Sequence, residues 1–585
     1  MLSILDWLLI ALYFVISLVI GLRYAKFAGK DLSHFFLGGR SLPWYLAGLS
    51  MVATTFAADT PLAVTELVAN NGVSGNWLWW NMLASGMLTT FFFANLWRRS
   101  GVLTEVELIE LRYSGPEAKF LRGFKAVYLG LFLNAMIIGW VNVAMISILE
   151  GFFGISPQLA LAITAGLMLI TAAYSSISGL MGVAVTDAFQ FIIAMLGCIV
   201  LAILVVSSEK IGGITGLTQK LPDWSLQFFP SLSNNGAAGQ SLAIGMGTFL
   251  AFVGVQWWAS WYPGAEPGGG GYVAQRFMST KDEKNAVFAT LFFQFAHYCL
   301  RPWPWILVGL AAIVLYPDLT NKKMGYIYAM RDYLPSGWRG LMLVAFIAAY
   351  MSTIATQLNW GASYLVNDLY KRFLSPPAKH PDTATAERHY VLVSKFVTLL
   401  LMLVGLIAST FINSISGVWQ FIMECGAGLG LVLILRWYYW RINAWSEIVA
   451  TITPFLIFAI TKASGITYPT SFFMTVGFTT FAWIVATYLT PPTDANTLIS
   501  FYQKVQPQGV WWPVRDLLNL PVKNDNNLQI AWLFLCWLSG IAMVYSALFA
   551  TGKLIFMQWT SGFVWTVASI ISLFILRWAM RKSGW

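Results

Sequence analysis

Long apolar segments separated by short polar ones follow one another along almost the whole chain. Most are at least as long as the roughly 20 residues with which an α-helix spans the hydrocarbon core of a bilayer. The pattern predicts about 15 membrane-spanning helices. They are expected at about 5–24, 43–70, 76–97, 122–150, 157–176, 182–207, 240–262, 286–316, 338–369, 389–413, 416–437, 446–463, 469–490, 529–550 and 557–580.

Composition and charge agree with an all-α polytopic membrane protein. The 585 residues are 58% hydrophobic and 10% charged, with a mean hydropathy of +0.67. The net charge of +10 does not indicate nucleic acid, since the basic residues lie mainly in short loops between predicted spans. By the positive-inside rule, the N-terminus is expected outside and the basic C-terminus "RWAMRKSGW" in the cytoplasm. Helical spans indicate an inner or plasma membrane.

The connecting segments predict no soluble domain. The segment 491–528 mixes polar and aromatic residues, so it is either an amphipathic stretch on the membrane surface or an ordinary connector. The sequence "GAEPGGGGY" at 264–272 is flexible by composition and lacks the Lys-Ser/Thr of a phosphate-binding loop. The four cysteines fall within spans, without disulfide or zinc spacing. No nucleophile–base–orienter set appears, so we expect no enzyme. No obligatory protein partner is evident from the sequence.

The second predicted span contains an unusually polar stretch, "AGLSMVATTFAADT", at residues 47–60. Small residues and threonines at mid-membrane are compatible with a helix that breaks there and frees backbone carbonyls to bind a cation. They are equally compatible with a small-residue face that packs against another helix. The pattern alone does not decide between a binding site and a packing face.

The ninth span is the second candidate for an ion site. Ser352 and Thr353 are adjacent hydroxyls, followed by Thr356, Gln357 and Asn359. Hydroxyl and carbonyl oxygens are hard ligands that suit a small cation. The alternative is again polar packing between helices.

Ionisable residues inside other spans suggest further chemistry, because a charge in the bilayer is costly. Asp187 could attract a cation or take a proton, or it could anchor the helix. His297 and Arg301 share one helix face at i, i+4. Arg301 could bind a substrate carboxylate, or it could satisfy backbone carbonyls beside Pro302 and Pro304.

Four motifs together resemble the sodium:solute symporter family. They are "FFLGGRSLPWYLAGLSMVAT" at 35–54, "GLMGVAVTDAFQ" at 179–190, "YVAQRFMSTKDEKNA" at 272–286 and "AAYMSTIATQLNWGASYLVNDLYKR" at 348–372. The last is similar to the family's eighth core helix, and the third to the loop between core helices six and seven. The resemblance covers about 5–445.

The resemblance implies a leucine-transporter-like fold with two inverted five-helix repeats, in which core helices one and six are interrupted. One extra helix would precede the repeats and about four would follow them. The implied divisions are 1–42 (extra helix and cytoplasmic loop), 43–207 (first repeat), 208–239 (extracellular loop), 240–437 (second repeat) and 438–585 (extra helices, with the cytoplasmic loop 491–528).

The resemblance also implies ion-binding positions. The family's sodium ligands fall on Ala53, Phe56, Ala349, Ser352 and Thr353, and the aspartate of its sodium exit path or second ion site falls on Asp187. The broken helix would then turn Thr54, Thr55 and Thr60 toward the cavity. Sodium is the expected cofactor, and a small-molecule solute and the lipid bilayer are the expected partners.

The substrate positions depart from the family's sugar site. Its polar ligands fall on Thr60, Trp79, Phe293 and Met423, none of which retains the family's residue. Other candidates for a different pocket are Gln256, Trp257, Trp258, His297, Arg301 and Gln420. We therefore expect sodium-coupled symport of a small polar solute, with a sugar or polyol first and a monocarboxylate second. Proton coupling through Asp187 and a transporter-like solute sensor are further alternatives.

Overall fold

Helices make up nearly all regular structure of the chain. The computed structural model describes residues 2–229, 246–412, 415–519 and 525–585, without the side chains of 246, 415–417, 420 and 525–527. Within these ranges, ten helical stretches are long and apolar enough to cross a membrane. They are Ile4–Ala28, Gly115–Phe153, Pro157–Val206, Glu283–Leu315, Trp338–Leu374, Thr383–Ser409, Ala444–Ala463, Thr470–Leu489, Leu528–Ile555 and Trp559–Ser583.

Shorter helices complete the architecture, and the described ranges hold no strand, only isolated bridges. The shorter α-helices are Leu32–Leu37, Trp44–Thr54, Thr60–Asn71, Trp77–Trp80, Leu83–Leu88, Ala94–Ser100, Leu108–Arg112, Gly213–Lys220, Met246–Ala251, Trp257–Ala259, Gly271–Met278, Met324–Tyr333, Ile415–Cys425, Leu429–Tyr438, Ala495–Val505 and Trp512–Leu517. The all-α membrane architecture is thus confirmed. Every predicted span overlaps helical structure, and the number of crossings stays a prediction.

The first interrupted helix lies at the threonine-rich stretch, where the family resemblance implied a break. Trp44–Thr54 ends, and Thr60–Asn71 begins after a five-residue gap. Pro61 stands in the first turn of the second half, where its missing N–H removes no helical hydrogen bond. Small residues let the two ends approach other helices closely.

A second interruption differs from the sequence-based interpretation. The helical run 246–259 ends, and a buried helix, Gly271–Met278, follows the glycine-rich segment. We expected 264–272 to be flexible and 272–286 to be a loop; both expectations are corrected. A Cβ at Gly269 would lie 2.9 Å from Trp97 Nε1, and one at Gly271 would lie 2.3 Å from Glu266 Oε1. These glycines therefore allow close packing of the backbone and do not indicate a flexible segment.

The stretch Pro157–Val206 folds back on itself at Gly179. Its φ of 58° and ψ of −168° are accessible essentially to glycine alone. Ser175 Oγ donates to the Ala355 carbonyl, whereas Gly197 packs against Met342 and Ala345. After the turn the chain therefore runs along the same neighbour in the opposite direction, as the separate spans 157–176 and 182–207 predict.

One helix forms the centre of the molecule. This helix is Trp338–Ser363, and every residue in it from Met342 onward is buried. It packs against the Pro157–Val206 hairpin, Ile4–Ala28 and Thr383–Ser409. Its alanines, glycine and hydroxyl residues let these neighbours approach, so polar groups are brought together in the interior.

Candidate functional site

The hydroxyl pair on the central helix meets the break in Trp44–Thr54. Thr353 Oγ1 donates to the Thr54 carbonyl at 3.0 Å, and Thr54 Oγ1 lies 3.1 Å from Thr356 Oγ1. The Ala53 carbonyl accepts from the Phe56 N–H at 3.0 Å. The structure thus places the predicted sodium residues on two touching segments, with Ala349 buried one turn before Thr353. Their role as ligands stays a prediction.

Ser352 points to a buried carboxylate instead. Its Oγ donates to Asp187 Oδ1 at 2.6 Å, and Ser50 Oγ donates to Asp187 Oδ2 at 2.5 Å. Asp187 is fully buried. Hydroxyls that donate their hydrogen keep lone pairs for a cation, so these contacts are compatible with ion binding by Ser352 and Thr353.

Arg276 completes this polar cluster. Its Nε donates to Ser50 Oγ at 2.8 Å, its Nη2 donates to Thr356 Oγ1 at 2.6 Å, and the same Nη2 lies 3.8 Å from Asp187 Oδ2. The guanidinium is fully buried and compensates the carboxylate. Sequence reasoning missed Arg276, because the short helix that carries it has no long apolar run.

A cavity of about 130 Å³ opens beside the helix break. Its lining includes six of the residues predicted to bind substrate: Thr54, Thr55, Thr60, Trp79, His297 and Arg301. Thr353 of the predicted sodium set also lines it. A residue predicted to bind the ion and residues predicted to bind the solute therefore line the same cavity.

Two residues of opposite charge line the cavity. Asp59 is 3% exposed, and its Oδ1 has no hydrogen-bond partner in the described part of the chain. Arg301 donates from Nη1 to Thr55 Oγ1 at 3.1 Å and to the Val52 carbonyl at 3.4 Å. Its Nη2 lies 3.0 Å from His297 Nε2. Arg301 is thus largely held by the protein, whereas Asp59 presents an oxygen that can accept a hydrogen bond.

The other predicted substrate residues lie outside the lining. Gln256 Nε2 donates to the Leu78 carbonyl at 3.3 Å and to Met423 Sδ at 3.5 Å. The indoles of Trp257 and Trp258 donate to carbonyls of their own helix. Phe293 is buried, with its ring 5.1 Å from that of His297. The side chain of Gln420 lies outside the described residues.

Sequence reasoning also missed several lining residues. Asp59 carried a signal, since it is the charged residue of the quoted stretch 47–60. Tyr262 and Tyr272 had none, because they flank a glycine-rich segment that composition alone predicts to be flexible. Further missed members are Trp140, Tyr298 and Trp419. Gln357, named in the sequence beside the hydroxyl pair of the ninth span, also lines the cavity.

Comparisons with known proteins indicate one family. The sequence profile of the sodium:solute symporter family matches residues 35–453. A sodium/glucose cotransporter of Vibrio parahaemolyticus is 23% identical over 489 residues, which are 78% of this chain and 85% of that protein. The human sodium/myo-inositol cotransporter 2 is 23% identical over 431 residues, which are 69% of this chain and 60% of that protein.

A solved structure shows the fold. The Na⁺-coupled sialic acid symporter, in a substrate-bound outward-open state, has a TM-score of 0.66 with 18% identity, covering 84% of this chain and 99% of that one. The likeness supports the leucine-transporter-like arrangement expected from the motifs. With the profile spanning most of the chain, this multi-pass membrane protein belongs to the sodium:solute symporter family.

Proposed function

We propose that the protein couples sodium entry to the uptake of a small neutral polar solute, a sugar or polyol. One observation carries the proposal: the cavity beside the helix break is lined by Thr353, a predicted sodium ligand. A residue shared by both sites gives each ligand an influence on the other's binding. Such a coupling free energy is reciprocal, as symport requires.

The cavity chemistry favours a sugar or polyol. Thr60, Asp59 and Gln357 offer hydroxyl, carboxylate and amide groups for solute hydroxyls. Trp79 and Tyr298 present aromatic faces, stacked at 5.5 Å, and aromatic faces pack well against the apolar side of a sugar ring. The names of the relatives, a glucose and a myo-inositol cotransporter, add support.

The proposed mechanism is alternating access around this site. Sodium between the broken helix and the Ser352–Thr353 pair stabilises an outward-open state and completes the solute pocket. Binding of both ligands allows closure and inward opening. The ligand set remains the predicted one: Ala53, Phe56, Ala349, Ser352 and Thr353, with Asp187 on the exit path or at a second ion site.

A monocarboxylate is the second candidate substrate, because Arg301 lines the cavity. Most of the Arg301 donors already have protein partners, which makes this candidate weaker. Coupling to protons through the buried Asp187 is the alternative to sodium.

The test is uptake by the purified protein in proteoliposomes. Labelled sugars, polyols and monocarboxylates are offered with and without an inward sodium gradient, and protein-free liposomes are the control. Accumulation of a sugar or polyol that needs sodium supports the proposal. Sodium-driven accumulation of only a monocarboxylate overturns the substrate class. Accumulation driven only by a proton gradient overturns the sodium assignment.

A further inference from the structure

A buried carboxyl group in the second helix interruption takes no part in the proposed transport cycle. Glu266 stands between the helical run 246–259 and the helix Gly271–Met278, and it is 2% exposed. It does not line the cavity beside the first break. Its Oε1 accepts from the Gly264 N–H at 3.1 Å, and within the described ranges no other residue donates a hydrogen bond to it. Burial therefore leaves this carboxyl group with few compensating contacts.

The charged group that acts on Glu266 is a second carboxyl group, that of Glu105. Glu105 is also buried, at 4% exposure. Its Oε2 accepts from the Gly271 N–H at 2.7 Å, and a Cβ on Gly271 would lie 2.3 Å from Glu266 Oε1. Both carboxyl groups therefore reach the same glycine. Two negative charges this close in a low-dielectric interior repel each other strongly.

Glu105 has a basic side chain and a hydroxyl donor beside it, whereas Glu266 has neither. Arg436 Nη2 lies 3.8 Å from Glu105 Oε1, and the Tyr364 hydroxyl donates to Glu105 Oε2 at 3.1 Å. Beyond Glu105, the titratable groups that face Glu266 are the phenols of Tyr272 and Tyr364. No basic side chain of the described ranges forms an ion pair with Glu266. Positive charge thus stabilises an ionised Glu105 but not an ionised Glu266.

A proton fits this environment better than a metal ion. An ionised carboxylate buried without a counter-charge costs far more free energy than a protonated one, so such a group takes up a proton. Two carboxyl groups that share a site behave in the same way, since both cannot ionise together. A metal ion would need further ligands, and no group of three or more His, Cys, Asp and Glu side chains in the described residues could hold one. A proton needs only one carboxyl oxygen.

We propose that Glu266 is a proton-binding site that stays occupied while the second helix interruption is buried. A proton on Glu266 removes the repulsion from Glu105 and lets the glycine-rich segment pack against it. Loss of the proton would push the two side chains apart and weaken the packing of the helix Gly271–Met278. That helix carries Arg276, which compensates Asp187, so the effect would extend to this polar cluster. The site is separate from the predicted sodium and solute sites, and its test does not depend on transport.

The first test is infrared spectroscopy of the purified full-length protein at neutral pH, in a detergent without carbonyl groups. A protonated carboxyl group has a carbonyl stretching band distinct from the bands of carboxylates. We expect this band in wild type, and a loss equivalent to one group in Glu266→Gln. Glu110→Gln is the matched control, because Glu110 is paired with Arg122 and Arg372 and should be ionised. A wild type without the band, or an equal band in wild type and Glu266→Gln, overturns the site.

The second test compares thermal stability at different pH values. Glu266→Gln keeps the shape and the neutral charge of the protonated side chain. An unfolded chain releases the proton of a glutamate above about pH 4.3, whereas the folded wild type keeps it. Unfolding therefore releases a proton, and this contribution to wild-type stability falls as the pH rises. The melting temperature of wild type relative to that of Glu266→Gln should fall from about pH 5 to about pH 8.

A control separates this site from other carboxyl groups. Glu209→Gln removes an exposed carboxyl group, and its melting temperature should follow that of wild type at every pH. If the melting temperatures of wild type and Glu266→Gln differ by the same amount at every pH, Glu266 has already lost its proton in the folded protein, and the proposal is overturned.

Discussion

Ser352 and Thr353 are neighbours in sequence whose hydroxyls serve different partners, Asp187 for one and the Thr54 carbonyl for the other. Both hydroxyl oxygens can still ligate sodium. We predict that Ser352→Ala with Thr353→Ala raises the half-saturating sodium concentration for uptake about tenfold or more, since two polar ligands are lost. Sodium titration of uptake measures this. The control Thr398→Ala removes a buried hydroxyl that bonds only its own helix, and unchanged sodium dependence in the double variant would contradict the ion site.

Asp187 and Arg276 compensate each other inside the molecule. Asp187→Asn leaves the buried guanidinium without its counter-charge, and removing one partner of a buried pair costs about 3–5 kcal/mol. We predict that Asp187→Asn clearly lowers the free energy of unfolding. Adding Arg276→Gln to this variant should lower it by a smaller further amount. Unfolding in detergent measures both. Losses that simply add would show that the two side chains do not interact.

The turn at Gly179 joins two spanning segments of one helical hairpin. A Cβ there would lie 2.9 Å from Ala28 Cβ and from the Phe35 carbonyl, in a backbone conformation that other residues avoid. Gly179→Ala is predicted to lower stability by about 1–3 kcal/mol. Gly166→Ala is the matched control, because no atom lies within 4 Å of its Cβ position. It should be neutral or raise stability by up to about 1 kcal/mol. The melting temperatures of the two purified variants test this prediction.

The short helix Leu108–Arg112 ties two long helices through Glu110. Burial alone would raise the pKa of Glu110, but hydrogen bonds and charges from Arg372 and Arg122 outweigh it and hold the pKa below its ordinary value. Because this carboxyl has a lowered pKa, its stabilisation is present above about pH 4.5 and is lost as the pH falls through the folded-state pKa.

We predict that Glu110→Gln lowers stability at neutral pH and weakens the dependence of stability on pH below about pH 4.5. Melting temperature against pH checks this. The exposed Glu209→Gln is the control and should reproduce the wild-type curve. If melting temperature depends on pH in the same way in Glu110→Gln and in wild type, the proposed role of the ion pairs is contradicted.

Elements with a local signature were predictable, and those formed by distant contacts were not. The break after Thr54 is compatible with small and hydroxyl residues in a long apolar run, and the family resemblance implied it. The hairpin agrees with two predicted spans joined by a short segment. Helix Gly271–Met278 carries Gln275 and Arg276, and its burial depends on distant partners such as the Phe36 carbonyl and Asn359. The cavity likewise combines Asp59 with Tyr262 and Tyr272, which no local pattern connects.

The proposed alternating access involves the whole molecule, and chemical labelling of a cavity residue can test it. The four native cysteines are buried, so their reaction with a polar thiol reagent should be slow. We predict that Thr60→Cys, in the cavity lining, is labelled from outside faster in sodium than in potassium, because in the proposed mechanism sodium stabilises the outward-open state. Adding the transported solute should slow it. A labelling rate that changes with neither sodium nor the solute would contradict the mechanism. Ser207→Cys, outside the cavity lining, serves as the control.

The buried charges around the two sites have an electrical consequence. Asp187 with Arg276, and Asp59 with Arg301, already give each region a balance of positive and negative groups. Under the proposed symport, a sodium ion that enters with a neutral solute adds a net charge to the transmembrane region, and each transport cycle is expected to carry current. A potential of 100 mV supplies about 2.3 kcal/mol per charge moved. Uptake should rise with an inside-negative potassium diffusion potential set by valinomycin, even at equal sodium concentrations, so a cell could concentrate the solute with voltage alone.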